Sequence, residues 1–132
     1  MYNIYTDGAF NKLHNKSSIG ILIFNENQQY QLKKKIDVFD NHIAEFEACI
    51  ISLTWPLNLL GSNEANKTNV FLHSDSKILI DSINKSYAKK YQDYVNKINA
   101  LQSNFNIVLF KWISDKENSG AHNLALQALN EK

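Results

Sequence analysis

The chain has 132 residues, a formal net charge of +1 and 44% apolar side chains. That length suits one domain with one ordinary core and argues against disorder. The charge excludes a strong overall field for drawing in nucleic acid, so a polyanion site must come from local lysine placement.

All fourteen basic residues are lysines. Lysine grips phosphate as a point charge and lacks the planar fork with which arginine reads guanine edges. Nucleic-acid binding, if present, is expected to be blind to sequence. The lone Cys49 lies in an apolar helical stretch and is read as a buried structural thiol in a reducing compartment. The start, MYNIYTDG, has no basic and apolar leader, and no apolar run approaches the roughly 20 residues that span a bilayer. A soluble, cytoplasmic, monomeric protein of one domain over residues 1–132 is expected.

In chain order, Met1 to Phe10 reads as a first strand, and Ser18 to Phe24 is a short apolar run typical of a buried second one. Asn25 to Asn27 form a polar turn, and Gln29 to Val38 resume an extended pattern, so an antiparallel hairpin is predicted. The period then changes. Ile43, Phe46, Ile50, Leu53, Leu57 and Leu60 mark one face of a long helix, capped by Asp40 or Asn41 and closed by Gly61, with a kink expected at Pro56.

Asn69 to His73 is a further buried strand, followed at once by Ser74 and Asp75. Residues 76–86 and 89–103 carry helical spacing, with Ile78, Ile83, Tyr91, Val95, Ile98 and Leu101 inward. Asn106 to Ile113 forms the last strand. Asn118 or Ser119 then caps a final helix with Ala121, Leu124, Ala125, Ala128 and Leu129 along one side. Strands separated by helices pair in parallel through right-handed crossovers. An α/β fold follows: a five-stranded mixed sheet, antiparallel over the first three strands, with the later strands parallel to the first and helices on its faces.

Asp7 and Asp75 each end a strand, and parallel neighbours would bring both carboxylates to one sheet edge. Taken singly, Asp7-Gly8 is also a common turn dipeptide, and Asp75 also suits a helix start. The long helix offers Glu45 and Glu47, one on each margin of its apolar stripe, and periodicity does not choose between them. Converging carboxylates repel one another unless cations sit among them, and oxygen ligands favour hard ions such as magnesium or manganese. Two such ions would activate a water and stabilise the leaving oxygen of a phosphodiester.

These residues resemble the type 1 ribonuclease H family over nearly the whole chain. Ile4-Tyr5-Thr6-Asp7-Gly8-Ala9 is similar to its first-strand motif, and Asn41-His42-Ile43-Ala44-Glu45-Phe46-Glu47-Ala48 to its helix start, which selects Glu45 over Glu47. Phe71 to Ser76 resembles the strand ending in the third acidic ligand, Asp75. Trp112-Ile113, Asn118 and Ala121-His122-Asn123-Leu124-Ala125 resemble the C-terminal motif in its shorter form, without the histidine-bearing loop. There His122 stands where the family carries a fourth metal-binding aspartate.

The resemblance implies hydrolysis of the RNA strand of RNA–DNA hybrids, with two Mg2+ or Mn2+ ions held by Asp7, Glu45, Asp75 and His122. A neutral histidine keeps the charge of site, ions and scissile phosphate balanced, and a nitrogen ligand suits manganese. His122 is therefore expected to confer a manganese preference, as a ligand or as a mobile proton carrier. By the same resemblance Gly8, Ala9, Asn41 and Ser76 meet the RNA minor groove, and His42 and Lys77 stand where amide side chains are common. The alternative is a degenerate relative that binds a hybrid or a protein partner with little cleavage. Lys85, Lys89 and Lys90 around Tyr87 are either a platform for the DNA strand or a solvated face. Lys33 to Lys35 are read as guards of an edge strand, and His14 as loop surface.

Overall fold

The computed structural model describes residues 1–131. The elements are β1 (Tyr2–Asn11), β2 (Lys16–Phe24), β3 (Gln29–Ile36), α1 (Asn41–Ala65), β4 (Asn69–Ser74), α2 (Lys77–Lys85), α3 (Gln92–Gln102), β5 (Ile107–Trp112) and α4 (Ser119–Asn130). The sheet runs β3-β2-β1-β4-β5, antiparallel through β3, β2 and β1 and parallel through β1, β4 and β5, as the sequence predicts.

Residues alternate across a strand, so the two faces carry different partners. Ile4, Ile19, Ile21, Ile23, Val70 and Leu72 are almost wholly buried in the main core, together with Phe46 and Leu53 of α1. Helix α1 lies on this face across β1 and β2, with α3 packed against it. On the opposite face α4 crosses β2, β1 and β3 and buries the five apolar positions its spacing predicts.

Two glycines let the helices approach. A Cβ on Gly8 would lie 2.4 Å from the Ala44 carbonyl carbon, and one on Gly20 would lie 2.2 Å from the Ala121 carbonyl oxygen. Ser18 Oγ adds a hydrogen bond to the Ala125 carbonyl at 2.6 Å, fastening α4 to β2. The lysines of β3 do more than guard an edge. Lys33 pairs with Glu131 at 2.8 Å, and Lys35 donates to the Glu131 carbonyl, so both hold the end of α4.

Four expectations are corrected. The helix geometry breaks at Gly61 (φ 79°), where the chain turns and then resumes to Ala65, whereas Pro56 sits buried within the helix. The deepest face of α1 is also displaced from the predicted stripe: Ala44, Ala48, Cys49 and Ser52 are completely buried, while Ile43, Ile50, Leu57 and Leu60 are only partly so. Small side chains let the backbone sit closer to the sheet than a stripe of large ones does. By length and composition α1 is apolar enough to cross a membrane, contrary to the sequence reading, but here its apolar side is occupied by the sheet. Finally, Ile78 is 42% exposed, and α2 turns Leu79 and Ile80 inward beside the expected Ile83.

Gly20→Ala is expected to lower stability by roughly 1–3 kcal/mol through overpacking against backbone. Gly120→Ala places its Cβ against only Leu22 Cδ2 at 3.3 Å and should keep or raise the thermal midpoint. Equal losses in both, measured by thermal unfolding, would contradict the close helix–sheet approach.

Candidate active site

The register of the parallel strands sets the site. Thr6 of β1 is paired with Ser74 of β4, so Asp7 and Asp75 are the next residues of adjacent strands. Asp40 caps α1 by accepting from the His42 and Ile43 N–H groups, which fixes the phase of the first turns and directs Glu45 at the same edge. A ligand oxygen from each of Asp7, Glu45 and Asp75 lies within 4.8 Å of the others. Glu47 does not join them.

Each acid is held differently. The Gly8 N–H donates to Glu45 Oε1 at 2.5 Å, and His122 Nδ1 meets Asp7 Oδ2 at 2.8 Å. Ser76 caps α2 by accepting from the Leu79 N–H, and Ser74 Oγ accepts from the Ser76 N–H, which tightens the β4–α2 junction around Asp75. Asp7 and Glu45 are buried and Asp75 half-buried.

This placement strains the electrostatics. Burial and the neighbouring Asp7 charge raise the Glu45 carboxyl from 4.5 to about 9, against the relief of the Gly8 N–H. Burial and Asp75 raise Asp7 from 3.8 to about 6, partly offset by His122. Converging carboxylate oxygens whose burial and neighbouring charge oppose the ionisation of Asp7 and Glu45 fit a hard divalent cation, which needs ionised oxygen ligands. Asp7, Glu45 and Asp75 would hold it. His122 stands beside Asp7 as its hydrogen-bond partner, outside the group of three converging oxygens.

The acids lie in an open cleft of about 910 Å3. Gly8, Ala9, Asn41, His42, Ser76, Lys77 and His122 line the same cleft, so every predicted site residue reaches it. The Gly8 N–H is already taken by Glu45, while the Ser76 hydroxyl oxygen accepts from the Leu79 N–H and keeps its proton to donate. Lys85, Tyr87, Lys89 and Lys90 lie outside the lining, exposed at the end of α2 and in the turn that follows it.

Sequence reading missed the apolar walls, formed by Ile78 and Trp112 on one side and Phe10 and Leu126 on the other, and also Asp115 and Lys116. Asn118 takes the N-cap position of α4 as expected, but its side chain serves elsewhere. Instead of capping α4 with its side chain, Asn118 is buried and donates from Nδ2 to the Thr6 carbonyl at 2.8 Å, tying the helix start to the strand beside Asp7. A 3-10 turn at Asp115–Asn118, capped by Ser114, leads into α4. Its signal in the sequence is the spacing of Ser114 and Glu117, which form a capping box at the start of the turn.

The sign of the pH dependence follows from raised carboxyl values. In the metal-free protein the stabilising contribution of each acid is complete below its unfolded value. It is lost as pH rises, for Asp7 from 3.8 through about 6 and for Glu45 from 4.5 through about 9. Its thermal midpoint should therefore fall between about pH 5 and about pH 8, and Glu45→Gln should remove much of that fall. Magnesium should raise the wild-type midpoint more at the higher pH. A Glu45→Gln profile parallel to wild type would contradict the buried charge.

A model of the reverse transcriptase-like family matches residues 5–128. The protein EbsB of Enterococcus faecalis, which carries the provisional name of a hydrolase, is 37% identical over 131 residues, spanning 98% of this chain and 94% of its own. The structure of ribonuclease H1 from Halobacterium salinarum has a TM-score of 0.85 at 17% identity, covering 99% of this chain and 98% of that one. LC11-RNase H1 in complex with an RNA/DNA hybrid also has a TM-score of 0.85, at 22% identity, covering 98% of this chain and 97% of that one. By that family match and that relative the chain belongs to the reverse transcriptase-like family, and by its sheet topology and these structural likenesses it has the ribonuclease H-like fold.

Proposed function

We propose that this protein is an endoribonuclease that hydrolyses the RNA strand of RNA–DNA hybrids, with two divalent cations, Mg2+ or Mn2+, at Asp7, Glu45, Asp75 and His122. The observation that carries this reading is the convergence of three acids from β1, α1 and the end of β4 within 4.8 Å. Bound there, such ions supply Lewis acidity toward a phosphodiester and its attacking water. The chain's own part is to hold the carboxylates rigid, with the Gly8 N–H on Glu45 and His122 on Asp7.

With Nδ1 engaged on Asp7, the second ring nitrogen of His122 is left to bind a cation or to carry a proton from the product. A nitrogen in place of a fourth carboxylate oxygen supports a manganese preference. The hybrid as substrate is supported by the RNA/DNA complex of LC11-RNase H1 and by Asn41, His42 and Ser76 lining the cleft beside the acids. Ala9, Lys77 and the Gly8 backbone complete the proposed contacts with the RNA strand. The absence of arginine supports recognition of shape and 2′-hydroxyls in preference to base edges. A one-domain monomer acting in the cytoplasm is proposed, in keeping with a free, buried Cys49.

A second reading has one specific observation in its favour: His122 stands in place of an acid. On that reading the protein binds a hybrid, or a protein partner, and cuts poorly.

An end-labelled hybrid incubated in magnesium and then manganese tests both. Cleavage is expected in both ions and faster in manganese, and Asp7→Asn should reduce it by on the order of 100-fold or more. Retention of the hybrid without cutting would replace the first reading with the second. His122→Asp should move the ratio of rates toward magnesium, and an unchanged ratio would remove His122 from that role.

A further inference from the structure

Of the three acids, Asp75 is the one whose carboxylate has no hydrogen-bond partner among the described residues. Glu45 has the Gly8 N–H and Asp7 has His122. Asp75 is also the least buried of the three. Its placement therefore depends on its backbone, at the point where β4 stops and α2 has not begun.

One side chain from a different strand reaches that backbone. The indole N–H of Trp112, the last residue of β5, donates to the Asp75 carbonyl at 3.0 Å. The neighbouring ladder supports it. Trp112 is paired with Ser74, and the Ile113 N–H donates to the Ser74 carbonyl at 2.9 Å, so β5 grips both residues at the end of β4. The indole is nevertheless 49% exposed and lines the cleft, so it is not held there as core packing. An exposed indole whose one polar atom is spent on the peptide of a cluster acid is placed as a clamp.

We propose that Trp112 is a positioning residue for Asp75: its indole N–H fixes the Asp75 peptide and thereby sets how well the acid cluster holds a divalent cation. This rests on the cation-binding part of the reading above and is independent of whether the protein cuts RNA. The same contact makes the Trp112 indole a reporter of occupancy at the cluster.

Two measurements test it, neither of which uses cleavage. The chain has two tryptophans, and Trp55 packs on Tyr30 away from the cleft. Trp55→Phe therefore leaves Trp112 as the one indole signal in a nitrogen-15 spectrum. Titration of that variant with magnesium chloride should shift the indole N–H resonance saturably, and Asp75→Asn in the same background should abolish the shift. In parallel, calorimetric titration with manganese chloride should show Trp112→Phe, which keeps an aromatic ring and removes the donor, binding about fivefold more weakly, the scale of one lost hydrogen bond. Its metal-free thermal midpoint should stay within a few degrees of wild type.

Wild-type manganese affinity in a folded Trp112→Phe would overturn the proposal, as would an indole resonance that magnesium does not move. The resonance decides alone should Trp112→Phe not fold. A protein that binds the ions and shows the Trp112 effects but leaves the hybrid intact would sink the nuclease reading and keep this one.

Discussion

The site depends on how closely α1 lies against β1. The Ala44–Glu45 peptide occupies the space that a side chain at position 8 would fill, so glycine is required there on steric grounds. That contact brings the Glu45 carboxylate onto the Gly8 N–H and into the company of Asp7, where burial and like charge both oppose its ionisation. One hydrogen bond does not offset that opposition, and a cation can. Backbone proximity, electrostatic strain and the capacity for metal are thus one arrangement.

The opposite face repeats the device for a different end. Gly20, paired with Asp7 across the β1–β2 ladder, admits α4, and α4 carries His122 to Asp7. Asn118 reinforces this by binding the Thr6 carbonyl from below the helix start. Asp7 is therefore fixed from both layers, while Asp75 hangs from a strand terminus and leans on β5. The cleft floor is acidic, its walls are partly apolar, and Lys77 and Lys116 are the lysines on its lining. A surface of that character meets a nucleic acid at short range, through sugars and shape, more than through a long-range field.

Much of this was legible in the residues. The alternation of strands and helices sufficed for the mixed sheet and its strand directions, and the spacing of Ala121, Leu124, Ala125, Ala128 and Leu129 for the buried side of α4. Asp75 follows its strand as read, but Asp7 does not end one: β1 runs on to Asn11, and what stops beside Asp7 is the ladder with β4, at Thr6 and Ser74. Periodicity could not separate Glu45 from Glu47, since both flank the same stripe; motif resemblance could. The stripe itself misled, because it weighs large side chains, whereas α1 seats itself by its small ones, Ala44, Ala48 and Ser52. Proline was taken as a kink or break in α1, yet the helix runs through it and breaks at Gly61, the residue read as its close, where glycine adopts a positive φ. Asn118 was read by its local preference for helix starts, while its partner lies 112 positions away in the chain. Contacts of that range leave no local periodic trace.

Those long spans have a consequence for how the molecule comes into being. Asp7 with His122, Thr6 with Asn118 and Ser18 with Ala125 join positions separated by 115, 112 and 107 residues. During synthesis the first strand leaves the ribosome with its acid in place, 115 residues ahead of the histidine that partners it. A nascent chain can assemble the hairpin and α1, yet Asp7 waits, without its histidine, until α4 has been made.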